Sequence, residues 1–153
     1  MSVESNVALM RRWFDEVWNQ GRAATVHELS DERAVGMGLA EQGTETQGPA
    51  GFLEFLERIR GAFPDIRVKV EDAFGAGDRV AVRWSATMTH RGDHLGVPAS
   101  HNPVTITGTT IVRVENGKIV HAWNNWDQLA MMEQIEARPQ ATAKLLDTKA
   151  NAR

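Results

Sequence analysis

The second half of the chain is dominated by long segments in which apolar and polar residues alternate, and this pattern constrains the fold more than any other feature. Alternation with a period of two is typical of β-strands that have one buried face. Such strands are predicted at residues 66–71, 79–90, 104–114 and 118–126. Asn116 and Gly117 separate the last two, and this dipeptide is the strongest short signal for a tight hairpin because both turn positions take positive φ. The strands therefore form an antiparallel meander.

Apolar residues elsewhere in the chain recur every three or four positions, which is the spacing of amphipathic helices. Helices are predicted at residues 7–18, 23–29, 49–63 and 127–136. Gly21 stands where the first helix stops, and Pro49 opens the third helix at its favoured first position. Between these helices, residues 34–37 are interpreted as a short strand and residues 41–48 as a polar loop.

Helices followed by a meander of strands predict an α+β fold, in which one curved antiparallel sheet carries helices on one face. The chain has 153 residues, and a single domain of this size buries enough surface to fold without a metal or a disulfide. We assign residues 1–136 to this domain. Residues 137–153 are small and polar with little periodicity, so we expect a mobile tail or an arm on a partner subunit.

The composition excludes several classes of site and partner. There is no Cys and no Tyr, so disulfides, thiolate metal sites, Cys nucleophiles and phenolic acids are all ruled out. The 17 basic and 20 acidic residues give a net charge of −3, and without a basic cluster no nucleic-acid partner is expected. No apolar run approaches a membrane span, and the N-terminal residues lack the apolar core of a signal peptide. We therefore expect no membrane partner and a cytoplasmic location.

A metal site is not expected either. His90, His94 and His101 lie in a segment rich in Gly and Pro, which is a loop and not the helix that a His-x3-His ligand pair needs. No Ser-His-Asp order, phosphate-binding glycine loop or dinucleotide fingerprint occurs in the chain.

Six short motifs occur along the chain in a set order. They are VWNQG at 17–21, AFPDI at 62–66, GDRVAVRW at 77–84, THRG at 89–92, LGVP at 95–98, and GKIV at 117–120 leading to Trp123 and Asp127. Together they resemble the SnoaL-like polyketide cyclase family over residues 7–135. The resemblance implies a cone-shaped α+β barrel like those of nuclear transport factor 2 and ketosteroid isomerase, with a cavity between the helices and the concave sheet face. It also implies a homodimer that uses no metal or organic cofactor.

Strand alternation indicates which side chains face that cavity. On the strand at 79–90, one face carries Val80, Val82, Trp84, Ala86, Met88 and His90. On the last strand, one face carries Val120, Ala122 and Asn124, and the other carries Ile119, His121 and Trp123. Thr110 faces the same way as Asn124. The side chains predicted to bind the substrate are Trp18, Trp84, Met88, Thr110 and Trp126.

Two positions depart from the pattern of the family. The resemblance implies a general acid/base Asp at the position of Asn124 and a His at the position of Thr110. An amide has no acidic proton near neutral pH, so Asn124 cannot serve as a general base. It can donate a hydrogen bond to a developing enolate oxygen, and we predict this catalytic role for it.

The base that removes the proton next to the substrate carbonyl must then be another residue, or it is absent; for another residue there are two candidates. Asp127 stands where the last strand meets the last helix, although an Asp in that place is also a good N-cap. His90 ends the long strand and titrates near neutral pH, although it could equally be a surface residue at a loop edge. Both are predicted as catalytic, and the choice between them stays open.

Three functions fit this sequence. The first is a cofactor-independent cyclase or isomerase that acts on an apolar, polyketide-like or steroid-like carbonyl compound by acid/base chemistry. The second is a cofactor-free hydroxylase of aromatic polyketides, which needs a shaped pocket more than a base. The third is a non-catalytic dimeric protein that binds an apolar small molecule in a degenerate active site.

Overall fold

The computed structural model describes residues 2–40 and 44–136. Within them, four α-helices, one π-helical turn and six strands confirm the predicted α+β class. In chain order these are α1 (Val3–Trp13), the π-helical turn (Phe14–Asn19), α2 (Ala23–Leu29), β1 (Ser30–Met37), β2 (Glu45–Gln47), α3 (Gly48–Ala62), β3 (Arg67–Ala76), β4 (Arg79–Thr89), β5 (Pro103–Glu115), β6 (Lys118–Trp126) and α4 (Gln128–Ile135).

The six strands form one sheet in the order β2-β1-β6-β5-β4-β3. Strands β3 to β6 make the predicted antiparallel meander. Strand β1 runs parallel to β6, so the expectation of a wholly antiparallel sheet is wrong at this pair. Parallel neighbours need a long crossover connection, and here α3 and the strands β3 to β5 lie between β1 and β6 in the chain.

The helices cover one face of this sheet and bury the core there in two clusters. One cluster contains Val17 and Val82, and the other contains Phe63 and Met88. Four partly buried side chains pack against both clusters, and they are Trp18, Phe52, Val68 and Trp84. Large apolar side chains that face two clusters mark the place where the core divides.

Local chemistry explains where the helices begin and end. Pro49 lies in the first turn of α3, as predicted. The carboxylate of Asp127 accepts a hydrogen bond of 3.0 Å from the Ala130 N–H and caps α4. The predicted first helix differs from the expectation, because after Trp13 it continues as a π-helical turn that ends before Gly21, whose φ is +67°. Such wide turns are rare and often occur near functional sites.

A β-bulge in β6 changes which side chains face the core. Val114 pairs with Ile119 and Arg113 pairs with His121, so Val120 is an extra residue without a partner position. One inserted residue reverses the alternation on that side of the bulge. Ile119 is therefore buried at 5% exposure while Val120 is half-buried, and the prediction that Val120 faces inward together with Ala122 and Asn124 is wrong.

Two further predictions concern the ends of the described segments. Residues 41–48 were expected to be a polar loop, but Glu45–Gln47 form strand β2 and pair with β1; residues 41–43 lie outside the described residues. The predicted tail at 137–153 also lies outside them. Among the described helices, none is long and apolar enough to cross a membrane.

Candidate active site

A cavity lies between the helices and the sheet, at the place where the two core clusters meet. The space free of protein atoms, counted out through the open mouth and including solvent there, is about 960 Å³. Its aromatic wall consists of Trp13, Phe14, Trp18, Phe52, Phe55, Trp84 and Trp126. Methionine and aliphatic side chains fill most of the remainder, so the lining favours an apolar ligand.

The polar side chains in this lining are few and uncharged. They are Ser30, Thr46, Thr110 and Asn124, together with the indole N–H groups. Among the described residues that line the cavity, none has an ionisable side chain. This part of the protein therefore offers a bound molecule hydrogen bonds but no side chain that exchanges a proton near neutral pH.

A chain of hydrogen bonds joins three of the lining residues across the sheet. The Trp84 indole N–H donates to Thr110 Oγ1 at 3.1 Å, and the Thr110 hydroxyl donates to Asn124 Oδ1 at 2.9 Å. Asn124 Nδ2 then donates to the carbonyl oxygen of Met37 at 2.9 Å. The pairing of Thr110 with Asn124 in the β5–β6 register brings the two polar side chains together.

Asp127 does not line this cavity. Its carboxylate is committed to the α4 cap, and the residue lies in an open groove on the other side of the sheet, beside Arg83 and Asn125. The predicted placement of Asp127 at the cavity is therefore wrong, and the alternative of an N-cap is confirmed. A part in catalysis stays a prediction. Strand alternation explains this placement of Asp127. Asn124 and Trp126 point into the cavity, so Asn125 and Asp127 point to the other side of the sheet.

His90 lies at the end of β4, fully buried but outside the cavity lining. Its Nδ1 accepts the N–H of Ser100 at 3.1 Å, and its ring packs beside Phe63 with centroids 5.6 Å apart. Burial lowers the pKa of the imidazole, because desolvation disfavours the charged ring. The surface alternative is wrong, and His90 does not line the cavity; its ring nitrogen instead contacts Ser100 in the loop after β4. A catalytic role for His90 stays a prediction.

The five side chains predicted to bind the substrate all lie in the cavity wall, and they are Trp18, Trp84, Met88, Thr110 and Trp126. Their part in binding a ligand stays a prediction. Trp18 reaches the cavity from the π-helical turn, where its ring contacts Phe52 edge-on at 5.9 Å. Trp123 lies on the other side of the sheet and stacks on His121.

The sequence matches the family model of the SnoaL-like polyketide cyclases over residues 8–135. The chain belongs to this family. The membership supports an enzyme of the cyclase type for this SnoaL-like domain. No curated protein matches the chain closely enough to serve as a further guide.

Solved structures give the same fold as this SnoaL-like domain. A protein from Jannaschia sp. CCS1, proposed to be a SnoaL-like polyketide cyclase, is 28% identical with a TM-score of 0.80, over 89% of this chain and 94% of that one. IdmH from Streptomyces antibioticus, a proposed polyketide cyclase, is 29% identical with a TM-score of 0.74. The match covers 86% of this chain and 98% of IdmH. AclR from Streptomyces galilaeus, a proposed hydroxylase, is 22% identical with a TM-score of 0.82. The match covers 99% of this chain and 93% of AclR, and at this identity it shows the fold alone.

One residue of the site in this SnoaL-like domain escaped the sequence analysis. Gly108 pairs with Trp84 across β4 and β5, and a Cβ atom at position 108 would lie only 2.3 Å from Cζ2 of the indole. The glycine thus makes room for the ring that begins the hydrogen-bonded chain. A lone Gly inside a long strand is the signal that could have revealed it, because such a residue often marks a close approach.

Proposed function

We propose that this protein is a cofactor-independent cyclase or isomerase that acts on an apolar, polyketide-like or steroid-like carbonyl compound inside the cavity. Membership in the SnoaL-like family supports the reaction type, and the aromatic lining supports a flat, apolar substrate. The observation that carries the proposal is the isolated polar pair of Thr110 and Asn124 in an otherwise apolar wall, because it can fix one oxygen of such a substrate.

The chemistry we propose uses the acidity of the substrate and not that of a cavity side chain. A 1,3-dicarbonyl compound exists partly as its enol, and the enol carbon can attack a second carbonyl group of the same molecule. One C–C bond forms, the attacked C=O becomes an alcohol, and the enol O–H supplies the proton that this oxygen gains. The protein contributes by holding the chain in a folded, reactive conformation and by excluding water.

Asn124 is the residue that we place at the reacting oxygen. Negative charge develops on the attacked carbonyl oxygen in the transition state, and an N–H donor already aimed at that oxygen stabilises the charge. Loss of one such donor costs roughly a hundredfold to a thousandfold in turnover in enzymes that depend on it. This role needs no titration of the amide.

The lack of ionisable side chains among the described lining residues also favours a second candidate function. In a cofactor-free hydroxylase, an electron-rich aromatic substrate reacts with molecular oxygen, and the protein supplies shape and hydrogen bonds. The two candidates differ in the product, because ring closure leaves the mass unchanged and hydroxylation adds one oxygen atom.

The experiment is incubation of the protein in air, without added cofactor, with a panel of polycyclic aromatic keto esters, followed by chromatography with mass detection. We expect a product of unchanged mass at a new retention time. Asn124→Leu should slow its formation by roughly a hundredfold or more, whereas the matched control Asp127→Asn should leave the rate unchanged, with folding of both variants checked by circular dichroism. A product heavier by one oxygen would support the hydroxylase. Retention of a compound without any product would leave a binding protein.

The assembly state expected from the resemblance is a homodimer, and we propose it here on that ground. Light scattering on the eluting protein measures the mass directly. A mass close to twice 16.9 kDa would support the dimer, and a mass of 16.9 kDa would contradict it.

A further inference from the structure

We infer that Trp84 and Thr110 are positioning residues that hold the Asn124 amide with an N–H toward the ligand, so that the cavity selects a hydrogen-bond acceptor such as a ketone over a donor. The inference rests on the proposed function, since it concerns the same cavity and the same oxygen. Beyond the proposed function, Trp84 and Thr110 act by orienting Asn124, and the oriented amide determines which ligands bind.

At the Trp84 end of the hydrogen-bonded chain, the indole fixes the direction of donation. An indole N–H can only donate a hydrogen bond, so Thr110 Oγ1 must accept from Trp84 at 3.1 Å. The hydroxyl has a single proton, and Asn124 Oδ1 lies 2.9 Å away to receive it. Trp84 thereby leaves the Thr110 hydroxyl free to act as the donor to the amide oxygen.

At the Met37 end of the hydrogen-bonded chain, the backbone carbonyl fixes the orientation of the Asn124 amide. A backbone carbonyl can only accept a hydrogen bond, so the amide atom 2.9 Å from the Met37 oxygen must be the nitrogen. The two ends of the chain therefore agree, and they fix the orientation of the amide without any choice between its oxygen and its nitrogen. Every hydrogen bond from Trp84 to Met37 runs in one direction.

The acceptor at Met37 is itself held in place. The Trp126 indole N–H donates to the carbonyl oxygens of Gly38 and Leu39 at 3.1 and 3.0 Å. The side-chain amide of Gln128 donates to the carbonyl oxygen of Ala40 at 3.0 Å. Side chains of β6 and α4 thus bind successive carbonyl groups after β1 and hold the segment that follows Met37 against the end of β6.

What remains is the second N–H of Asn124. The amide nitrogen carries two donors, and among the described residues the Met37 oxygen is its single partner. Asn124 lines the cavity, so the other N–H is available to a bound molecule. A ligand with an acceptor at this point gains a hydrogen bond, whereas a ligand with a donor there meets another donor and loses one.

Three tricyclic probes of similar shape test this inference. 9-Fluorenone presents an acceptor, carbazole presents a donor, and fluorene presents neither. Equilibrium dialysis with chromatographic detection gives the three dissociation constants for each protein. For the wild type we expect 9-fluorenone to bind about fivefold more tightly than fluorene, which is the worth of one hydrogen bond, and carbazole to bind no more tightly than fluorene.

The variants separate positioning from packing. Thr110→Val, which matches Thr in shape, should bring the 9-fluorenone preference close to one while the fluorene affinity stays within about twofold. Thr110→Ser keeps the hydroxyl and should restore the preference, and Trp84→Phe should reduce it. An unchanged preference in Thr110→Val, or tighter binding of carbazole than of 9-fluorenone by the wild type, would overturn the inference alone. Failure of fluorene and 9-fluorenone to bind at all would overturn the proposed function with it.

Discussion

The close approach of Gly108 to Trp84 leads to the sharpest prediction about the site. In the substitution Gly108→Ala, the new Cβ would lie 2.3 Å from Cζ2, 2.7 Å from Cε2 and 2.8 Å from Cη2 of the indole. Carbon atoms in contact lie about 3.5–4.0 Å apart, so the ring must move by about 1 Å. These atoms belong to a rigid ring in a packed wall, and the ring cannot move without losing its hydrogen bond to Thr110.

The expected loss of stability in Gly108→Ala has two contributions. Overpacking of a core position costs about 1–3 kcal/mol, and loss of the Trp84 hydrogen bond adds about 1 kcal/mol. We therefore expect the free energy of unfolding to fall by about 2–4 kcal/mol, and the melting temperature to fall by about 5–15 °C for a chain of this length.

Urea denaturation followed by far-UV circular dichroism measures this loss without depending on Trp fluorescence. The double variant Trp84→Phe/Gly108→Ala gives the decisive comparison, because the smaller ring leaves room for the methyl group. The cost of the double variant should be at least about 1 kcal/mol smaller than the sum of the two single costs. A loss below about 0.5 kcal/mol in Gly108→Ala, or strictly additive costs, would refute the reasoning.

Three further predictions concern single residues elsewhere. Burial lowers the pKa of His90, so stability is complete above the unfolded value of about 6.5 and falls as the pH drops below it. Urea midpoints from pH 7 to pH 5 should fall less steeply in His90→Asn, whose side-chain oxygen can still accept the Ser100 N–H; equal slopes would contradict this. Asp127→Ala should cost about 1 kcal/mol of stability through the lost cap, with ligand affinity unchanged in the dialysis assay; a large drop in affinity at unchanged stability would show that its carboxylate serves the site. Gly51→Ala places a methyl group in α3 at an ordinary contact distance, with its nearest neighbour at 3.6 Å. Because Ala favours the helix over Gly, the free energy of unfolding from urea denaturation should rise by about 0.5–1 kcal/mol. A fall would mean that the methyl group does not fit there.

Much of the fold could be predicted because local periodicity reflects local burial. The alternation in residues 118–126 gave the bounds of β6, and the helical spacing located α2 and α3. The parallel pairing of β1 with β6 joins segments far apart in the chain, and no local pattern contains it. The bulge at Val120 escaped prediction for a related reason, since it is defined by the pairing of β6 with β5, and strict alternation along residues 118–126 had been assumed.

The candidate site shows the same division. Side chains on one strand face, such as Trp84 and Met88, were predicted to share the cavity wall because alternation is a property of the strand itself. Asp127 was predicted at the cavity from its position between the last strand and the last helix, whereas alternation along β6 turns it away from the side that Asn124 and Trp126 face. The hydrogen-bonded chain from Trp84 to Met37 joins β4, β5, β6 and β1, and it could only be recognised once the sheet order was known.

The pH dependence of kcat/KM from pH 5.5 to 9, for whichever panel substrate is converted, shows whether the protein itself exchanges a proton during the reaction. The proposed mechanism involves no proton exchange by any described side chain of the cavity. It therefore predicts a profile that follows the ionisation of the substrate alone, with no further limb, and the same profile for the wild type, Asp127→Asn and His90→Asn. An additional limb that either substitution removes would show that the protein supplies an acid or a base, and would contradict the account.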